Sequence, residues 1–185
     1  MSEENAVTKD SACPAEIRRA LAAHTTMTLA YVDEDGPQAA AVLYAPAQGP
    51  VLYFVTSTGT RHGRALAAPG TAPENASGAA PGSASGTASA TGGARVAFTA
   101  QRDGQEWRGL TGLQGRGRCR PLGDDERAAG WRAYTERFPF VAESESLRAA
   151  LERTTLWELR PDWLRLIDNG RGFGHKEEWH RAGAA

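Results

Sequence analysis

A stretch rich in hydroxyls and cations runs from Thr56 to Arg64, with the sequence Thr-Ser-Thr-Gly-Thr-Arg-His-Gly-Arg. It leaves a strand-like run and opens a helix-like one, which predicts that hydroxyls, backbone N–H groups and cationic side chains meet at one place. This donor set suits a phosphate dianion, because a guanidinium binds it through two hydrogen bonds and a glycine lets the backbone approach closely. A helix capped by Thr58 or Thr60, with solvated arginines on its exposed face, explains the same residues equally well. The candidate ligand residues are Thr56, Ser57, Thr60, Arg61, His62 and Arg64.

A second polar pattern lies between residues 114 and 120, where large polar side chains alternate with small residues. The polar set is Gln114, Arg116, Arg118 and Arg120, and the small set is Gly115, Gly117 and Cys119. Alternation with a period of two places the polar set on one face of a strand. That face either contacts a ligand or a dimer partner, or meets solvent opposite a tightly packed interior, and the second interpretation is favoured.

Other chemistry-bearing residues give no pattern. No side chain stands out as a general acid, a general base or a nucleophile, so the catalytic residues stay unknown. His24 and His180 have no partner pattern and are expected at the surface or in helix caps. Cys13 and Cys119 lie far apart and outside any Cys/His cluster, so the sequence predicts two reduced thiols and no metal site.

Composition excludes further classes of protein. The chain has 185 residues and a formal net charge of −1, which argues against a protein that binds nucleic acid through a basic face. It contains no run of about 18 apolar residues, and its first ten residues are polar and acidic rather than a leader peptide. A cytoplasmic protein that does not enter membranes is therefore expected.

Residues 69–94 interrupt the chain, since 24 of these 26 residues are Ala, Gly, Ser, Thr or Pro. Such a segment cannot bury enough apolar surface to offset its ordering entropy, which predicts a flexible insertion. The strand-like runs on either side are too small to form separate cores. We therefore expect one domain over residues 14–180, with a disordered N-terminus at 1–13 and a tail at 181–185.

The apolar pattern predicts short strands with helices at the margins. Strands are expected at 25–32, 38–44, 51–57, 95–101, 107–120, 154–159 and 163–167, and helices at 11–23, 60–68, 124–138 and 146–153. Because strands and helices do not alternate as in βαβ units, the pattern favours a mainly β (α+β) domain, an antiparallel β-barrel of six or seven strands with accessory helices.

Several local motifs resemble one known family. Three strands lead into Thr56-Ser57-x-x-Thr60-Arg61-His62 and a short helix, and the C-terminal part carries three further segments. Those segments are Tyr134-Thr135-Glu136-Arg137-Phe138-Pro139, Leu156-Trp157-Glu158-Leu159, and Ile167-Asp168-Asn169-x-x-Gly172-Phe173-Gly174-x-Lys176-x-x-Trp179. Together they resemble the pyridoxamine 5′-phosphate oxidase-like FMN-binding split-barrel family, in particular a small bacterial branch of it.

The resemblance implies a split β-barrel that forms homodimers, with FMN sites at the interface between the two barrels. It places Thr56, Arg61 and His62 at the FMN phosphate, and Gln114 and Trp179 near the flavin. The function it implies is that of an FMN-dependent oxidoreductase acting on a small molecule.

One departure from the family changes the expected substrate. True pyridoxamine 5′-phosphate oxidases have an Arg and a Lys on the second strand, where this chain has Ala39-Ala40-Ala41-Val42-Leu43-Tyr44. Pyridoxamine phosphate is therefore not the expected substrate. The alternative function is a non-catalytic split-barrel module that binds flavin, deazaflavin or haem, or a dimeric scaffold that has lost its cofactor.

Overall fold

The computed structural model describes residues 12–68 and 93–183. Its seven strands are β1 (Thr26–Asp33), β2 (Gly36–Ala47), β3 (Val51–Val55), β4 (Ala94–Gln101), β5 (Thr111–Pro121), β6 (Leu156–Asp168) and β7 (Lys176–His180). Its α-helices are α1 (Ala15–Ala23), α2 (Arg61–Ala67), α3 (Asp124–Arg137), α4 (Pro139–Glu143) and α5 (Glu145–Glu152), and two single 3₁₀ turns lie at Trp107–Gly109 and Asn169–Arg171.

The strands form one antiparallel sheet that closes on itself. Their order is β3-β2-β1-β4-β5-β6-β7, and β3 also pairs with the first part of β6, so six strands form a ring and β7 extends it. The later part of β6, beyond its pairing with β3, pairs with β7 along the same edge. The predicted antiparallel split β-barrel of six to seven strands with accessory helices is confirmed.

Period-two alternation explains how the sequence builds this barrel. In β1 the residues Met27, Leu29 and Tyr31 point inward and are buried, while their neighbours are exposed. In β5 the small residues point inward, as predicted. A Cβ on Gly115 would come within 2.3 Å of the Phe98 ring, so glycine there makes room for an aromatic core residue.

Two parts of the predicted pattern differ from the structure. The strand expected from residue 107 begins at Thr111, because Trp107–Gly109 forms a 3₁₀ turn. The two strands expected at 154–159 and 163–167 are one continuous β6. Pro161 lies within β6 beside a register shift in its pairing with β5, where a proline that cannot donate to the ladder is tolerated.

Two elements were not predicted. α4 begins with Pro139, directly after Phe138, which caps the end of α3 and the start of α4. Proline is favourable at this first position because the first helical N–H has no partner in the helix. β7 is short and largely polar, and only Trp179 is buried among its five residues. Because nearly all residues of β7 are polar, its sequence has no alternation of apolar and polar residues that would predict a strand.

The helices cover the ends and one side of the barrel. α2 contacts β1, β2, β4 and β5, and its Leu66 reaches the main core. α3 and α4 contribute Tyr134, Phe138 and Val141 to a second apolar cluster that also contains Ala45 of β2. α2 therefore closes one end of the barrel, and the chain leading into it lies at that rim.

Some predictions concern residues outside the described part of the chain. The N-terminal segment at 1–13 and the insertion at 69–94 fall mostly there, together with the last two residues of the tail at 181–185, since the structure does not describe 1–11, 69–92 or 184–185. Both cysteines are described, and both are free and buried, as predicted. Within the described residues, no helix has the length and apolar character needed to span a membrane.

Candidate functional site

Four of the predicted residues meet in one hydrogen-bonded cluster where β3 leads into α2. Thr56 Oγ1 lies 2.6 Å from His62 Nε2 and 3.2 Å from Thr60 Oγ1. The Thr60 hydroxyl donates to the Ser57 carbonyl over 2.8 Å and accepts from the Gly63 amide over 3.0 Å. We call Thr56, Ser57, Thr60 and His62 the hydroxyl–imidazole cluster.

The cluster is anchored to the barrel through the backbone of Thr56. Its amide donates to the Thr155 carbonyl over 3.1 Å, and its carbonyl accepts from the indole of Trp157 over 3.0 Å. Trp157 is fully buried and stacks on Phe54 of β3. The position of Thr56 is therefore set by the core as well as by its neighbours along the chain.

The contacts restrict the direction of the hydrogen bonds in the cluster. The single hydroxyl proton of Thr60 is used on the Ser57 carbonyl, so any hydrogen bond between the two threonines has Thr56 as its donor. With that direction the Thr56 oxygen accepts from His62, and the proton of the neutral ring is assigned to Nε2. This tautomer satisfies every polar contact of the cluster.

Arg61 contacts the turn between β1 and β2. Its Nε lies 2.6 Å from Asp33 Oδ2, and its Nη2 lies 3.2 Å from Asp33 Oδ1 and 2.5 Å from Asp35 Oδ2. The hydrogen bonds that Asp33 accepts from Arg61 lower the pKa of Asp33 and raise the pKa of Arg61. The guanidinium is therefore already paired with two carboxylates.

Arg64 and Ser57 are the exposed donors of the site. Arg64 Nη1 donates to the Gly59 carbonyl over 2.6 Å, which holds the side chain over the entry to α2. The Ser57 hydroxyl accepts from the Gly59 amide over 3.0 Å, and its own proton remains available for a ligand. Thr60 is the N-cap of α2, as the capping interpretation of this stretch predicted.

His24 is the C-cap residue of α1, which is one of the two positions expected for it, and it is not at the surface, since it is only 5% exposed. Arg137 donates to its carbonyl over 3.1 Å and so packs α3 over it. No local sequence signal reveals this burial, because the covering residue lies more than one hundred positions away.

Burial of two histidines makes the stability depend on pH. Desolvation lowers the pKa of His62, and desolvation with the nearby charge of Arg102 lowers that of His24, from an ordinary value of 6.5. As the pH falls below about 6.5 the unfolded chain takes up these protons before the folded chain does, so stability decreases. Urea unfolding at pH 7.5 and pH 5.5 should show this loss, and His24→Gln should make it smaller. An equal loss in both proteins would contradict the assignment to His24.

Gln114 and Trp179 do not join the hydroxyl–imidazole cluster within one chain. Gln114 lies on the outer face of β5, where it accepts from Arg165 over 3.4 Å and lines a cleft of about 380 Å³ with Thr99 and Arg102. Trp179 is 5% exposed and belongs to the main core, with the Arg181 guanidinium 5.3 Å from its ring centre. The structure thus separates the residues expected near the phosphate from those expected near the flavin.

The three arginines of the polar strip on β5, which runs from Gln114 to Arg120, each contact a nearby residue. Arg116 lies 3.6 Å from Asp162, Arg118 contacts the Gly93 carbonyl, and Arg120 pairs with Glu126 and Glu158. The strip faces outward opposite a packed interior, which is the interpretation favoured from the sequence. Within residues 12–68 and 93–183, no group of three or more His, Cys, Asp or Glu side chains is placed to hold a metal ion.

Sequence comparisons relate part of the chain to a group of bacterial proteins. No family model matches the chain. A UPF0306 protein of Klebsiella pneumoniae is 34% identical over 92 residues, which are 50% of this chain and 57% of that protein. The chain therefore spans just over half the length of this curated relative.

Solved structures share the split-barrel fold. A heme binding protein from Mycobacterium smegmatis superimposes with a TM-score of 0.62 at 21% identity, covering 94% of this chain and 60% of its own. A FAD-binding protein from Mesorhizobium loti gives 0.55 at 17% identity, with 83% and 94% covered. A Clostridium acetobutylicum protein described as of the pyridoxinephosphate oxidase family gives 0.57 at 14% identity, with 89% and 92% covered. This chain therefore has the fold of a class that includes flavin-binding and haem-binding proteins.

Proposed function

We propose that this protein is a homodimeric FMN-binding flavoprotein that acts as an oxidoreductase on a small molecule in the cytoplasm. The observation that carries the proposal is the hydroxyl–imidazole cluster, flanked by the guanidiniums of Arg61 and Arg64 at the rim of a split barrel. Flavin binding by a protein with the same fold supports the choice of ligand.

The donor set fits the phosphate of FMN in its chemistry. Arg64 and the Ser57 hydroxyl are exposed and face the same entry to α2, and both bind phosphate oxygens well. His62 adds a cation when a bound dianion raises its affinity for a proton. Arg61 completes the set only in part, because Asp33 and Asp35 already hold it.

The outer face of the sheet supports a dimer. Across β2, β1 and β4 this face carries small, uncharged and exposed residues in register with each other. They are Ala39, Ala41, Thr28, Ala30, Ala97 and Thr99. Val32, 70% exposed, and Leu43, 37% exposed, flank the set. An exposed sheet face of small, uncharged side chains flanked by apolar ones is suited to being covered by a second copy in a dimer.

A dimer through this face would also bring the separated site residues together. Gln114 and its cleft lie on the same outer face, in the row that contains Thr28 and Thr99. The end of β1 forms one border of the face, and there Asp33 accepts a hydrogen bond from Arg61 of α2. We therefore place the phosphate on one protomer and the flavin ring at the interface, near Gln114 of either copy.

In this assembly the protein binds and orients the cofactor and excludes water from it. FMN supplies the hydride chemistry when bound. Arg64, Ser57 and His62 hold the phosphate end, while the amide of Gln114 is available to hydrogen-bond the ring. Ala39 and Ala41 offer no cation for a phosphorylated substrate, so we do not propose pyridoxamine phosphate as the substrate.

Titration of the full chain with FMN tests the proposal. The wild-type protein should quench FMN fluorescence with one site per chain, in a species of about 39 kDa, twice the chain mass of 19.7 kDa. Loss of a charge-assisted hydrogen bond in Arg64→Ala should weaken FMN binding by roughly tenfold. Arg132→Ala, which removes an exposed arginine on α3, serves as the matched control and should bind as wild type does.

Two results would overturn parts of the proposal. A wild-type protein that leaves FMN fluorescence and its own melting temperature unchanged does not bind FMN. Bound FMN that nicotinamide nucleotides reduce no faster than free FMN would favour the alternative, a non-catalytic module that binds flavin, deazaflavin or haem. Two observations support this alternative. Arg61 is already paired with two carboxylates, and a protein of the same fold is described as binding haem.

A further inference from the structure

The two carboxylates that hold Arg61 occupy different edges of its guanidinium. Asp33 binds the side edge, formed by Nε and Nη2, at 2.6 and 3.2 Å. Because Asp33 takes the side edge, the second proton of Nη2 is left for Asp35, whose Oδ2 lies 2.5 Å from this nitrogen. That proton belongs to the end edge, formed by Nη1 and Nη2, which is the other edge through which an arginine binds an oxyanion at two points. Within the described residues, Nη1 makes no hydrogen bond.

The turn that carries the carboxylates holds them in fixed positions. Asp33 pairs with Gly36 at the end of the β1–β2 hairpin, and Gly36 adopts φ 99°, which a glycine accommodates at little cost. The Asp35 amide donates to Asp33 Oδ1 over 3.0 Å, so one carboxylate also orders the backbone of the other. The side chain of Asp33 is 13% exposed and that of Asp35 is 70% exposed.

This difference in edge and exposure separates two roles. An oxyanion at the end edge of Arg61 leaves the side-edge contact with Asp33 intact, because that contact uses other protons. The same oxyanion must replace Asp35, since both need the second proton of Nη2. Before the replacement, Asp33, Asp35 and Arg61 carry a combined charge of −1, which repels a phosphate dianion.

We propose that Asp33 positions Arg61 for the FMN phosphate, whereas Asp35 competes with that phosphate for the same guanidinium. This inference rests on the proposed FMN binding and adds a residue that limits it. The exposed Asp35 side chain is released into water at little cost, while the nearly buried Asp33 stays in place. The contribution of Arg61 to FMN affinity is then set by the competition between the Asp35 carboxylate and the phosphate.

Two matched substitutions test the separation, because each removes one negative charge from the same turn. Asp35→Asn should lower the Kd for FMN by roughly threefold to tenfold, the range expected for loss of one competing surface ion pair. Asp33→Asn should raise the Kd, because Arg61 loses the contact that orients it. A purely electrostatic effect of the turn would instead lower the Kd in both variants.

Riboflavin and a double variant identify the group that responds. Riboflavin has no phosphate, so its affinity should be the same in wild type and in Asp35→Asn. Asp35→Asn combined with Arg61→Ala should lose the gain, and thermal melting should show that every variant is folded.

The outcomes distinguish the competition from FMN binding itself. Wild type that binds FMN as tightly as Asp35→Asn overturns the competition and leaves the proposed function standing. No FMN binding by either protein overturns the proposed function and the competition with it. FMN binding by Asp35→Asn alone supports both.

Discussion

Replacing Glu158 by alanine should lower the free energy of unfolding by roughly 3 kcal/mol, because its buried carboxylate accepts charge-assisted hydrogen bonds from two arginines. Glu158 is 3% exposed, and its Oε1 lies 2.9 Å from Arg120 and 2.6 Å from Arg160. It pairs with Arg120 on β5 and with Tyr53 on β3, which is where the barrel ring closes. The loss should therefore reach the strand pairing that closes the barrel as well as one ion pair.

Thermal melting measures this effect, with Glu126→Ala as the matched control. Glu126 also pairs with Arg120, at 2.6 Å, but its side chain is 46% exposed. Water replaces that exposed partner, so its removal should change the melting temperature little. For a chain of this size, Glu158→Ala should lower the melting temperature by roughly 6–12 °C. Equal shifts in the two variants would show that the position of Glu158 at the closing strands has no special effect.

The barrel was predictable because its core depends on a local pattern. Alternation of Met27, Leu29 and Tyr31 in β1, and of the small residues in β5, is visible within eight residues and fixes which face is buried. The closure of β3 onto β6 joins residues about one hundred positions apart. No local pattern specifies that pairing, and the family resemblance alone implied it.

The candidate site shows the same division between local and distant determinants. The meeting of Thr56, Thr60 and His62 follows from their spacing across a strand end and the first turn of a helix. The pairing of Arg61 with Asp33 and Asp35 does not follow from local spacing, because these carboxylates lie 28 and 26 residues earlier in the chain. Sequence reasoning counted Arg61 as a full cation, and the fold gives it two anionic partners. The acidic turn was visible in the sequence, but its place beside α2 was not.

Gly63→Ala should destabilise the protein by roughly 3 kcal/mol and abolish FMN binding, since the added Cβ would clash with the backbone of Ser57. A Cβ at this position would lie 2.0 Å from the Ser57 carbonyl oxygen and 2.9 Å from Thr60 Oγ1. Helix propensity alone predicts the opposite sign, because alanine is favoured over glycine inside a helix by about 1 kcal/mol. The sign of the change therefore shows whether the contact between α2 and Ser57 exists.

Gly59→Ala is the matched control for this substitution. Its Cβ would meet only the Ser57 hydroxyl, at 3.3 Å, and that side chain can rotate away. Urea unfolding and FMN titration of both variants separate a general effect of glycine replacement from the specific contact at Gly63. To accommodate a Cβ at Gly63, α2 must move off Ser57, which breaks the bond from the Gly63 amide to Thr60 and shifts His62 away from Thr56. A Gly63→Ala protein as stable as wild type would mean that Ser57 does not pack against α2, and the geometry proposed for the phosphate would be wrong.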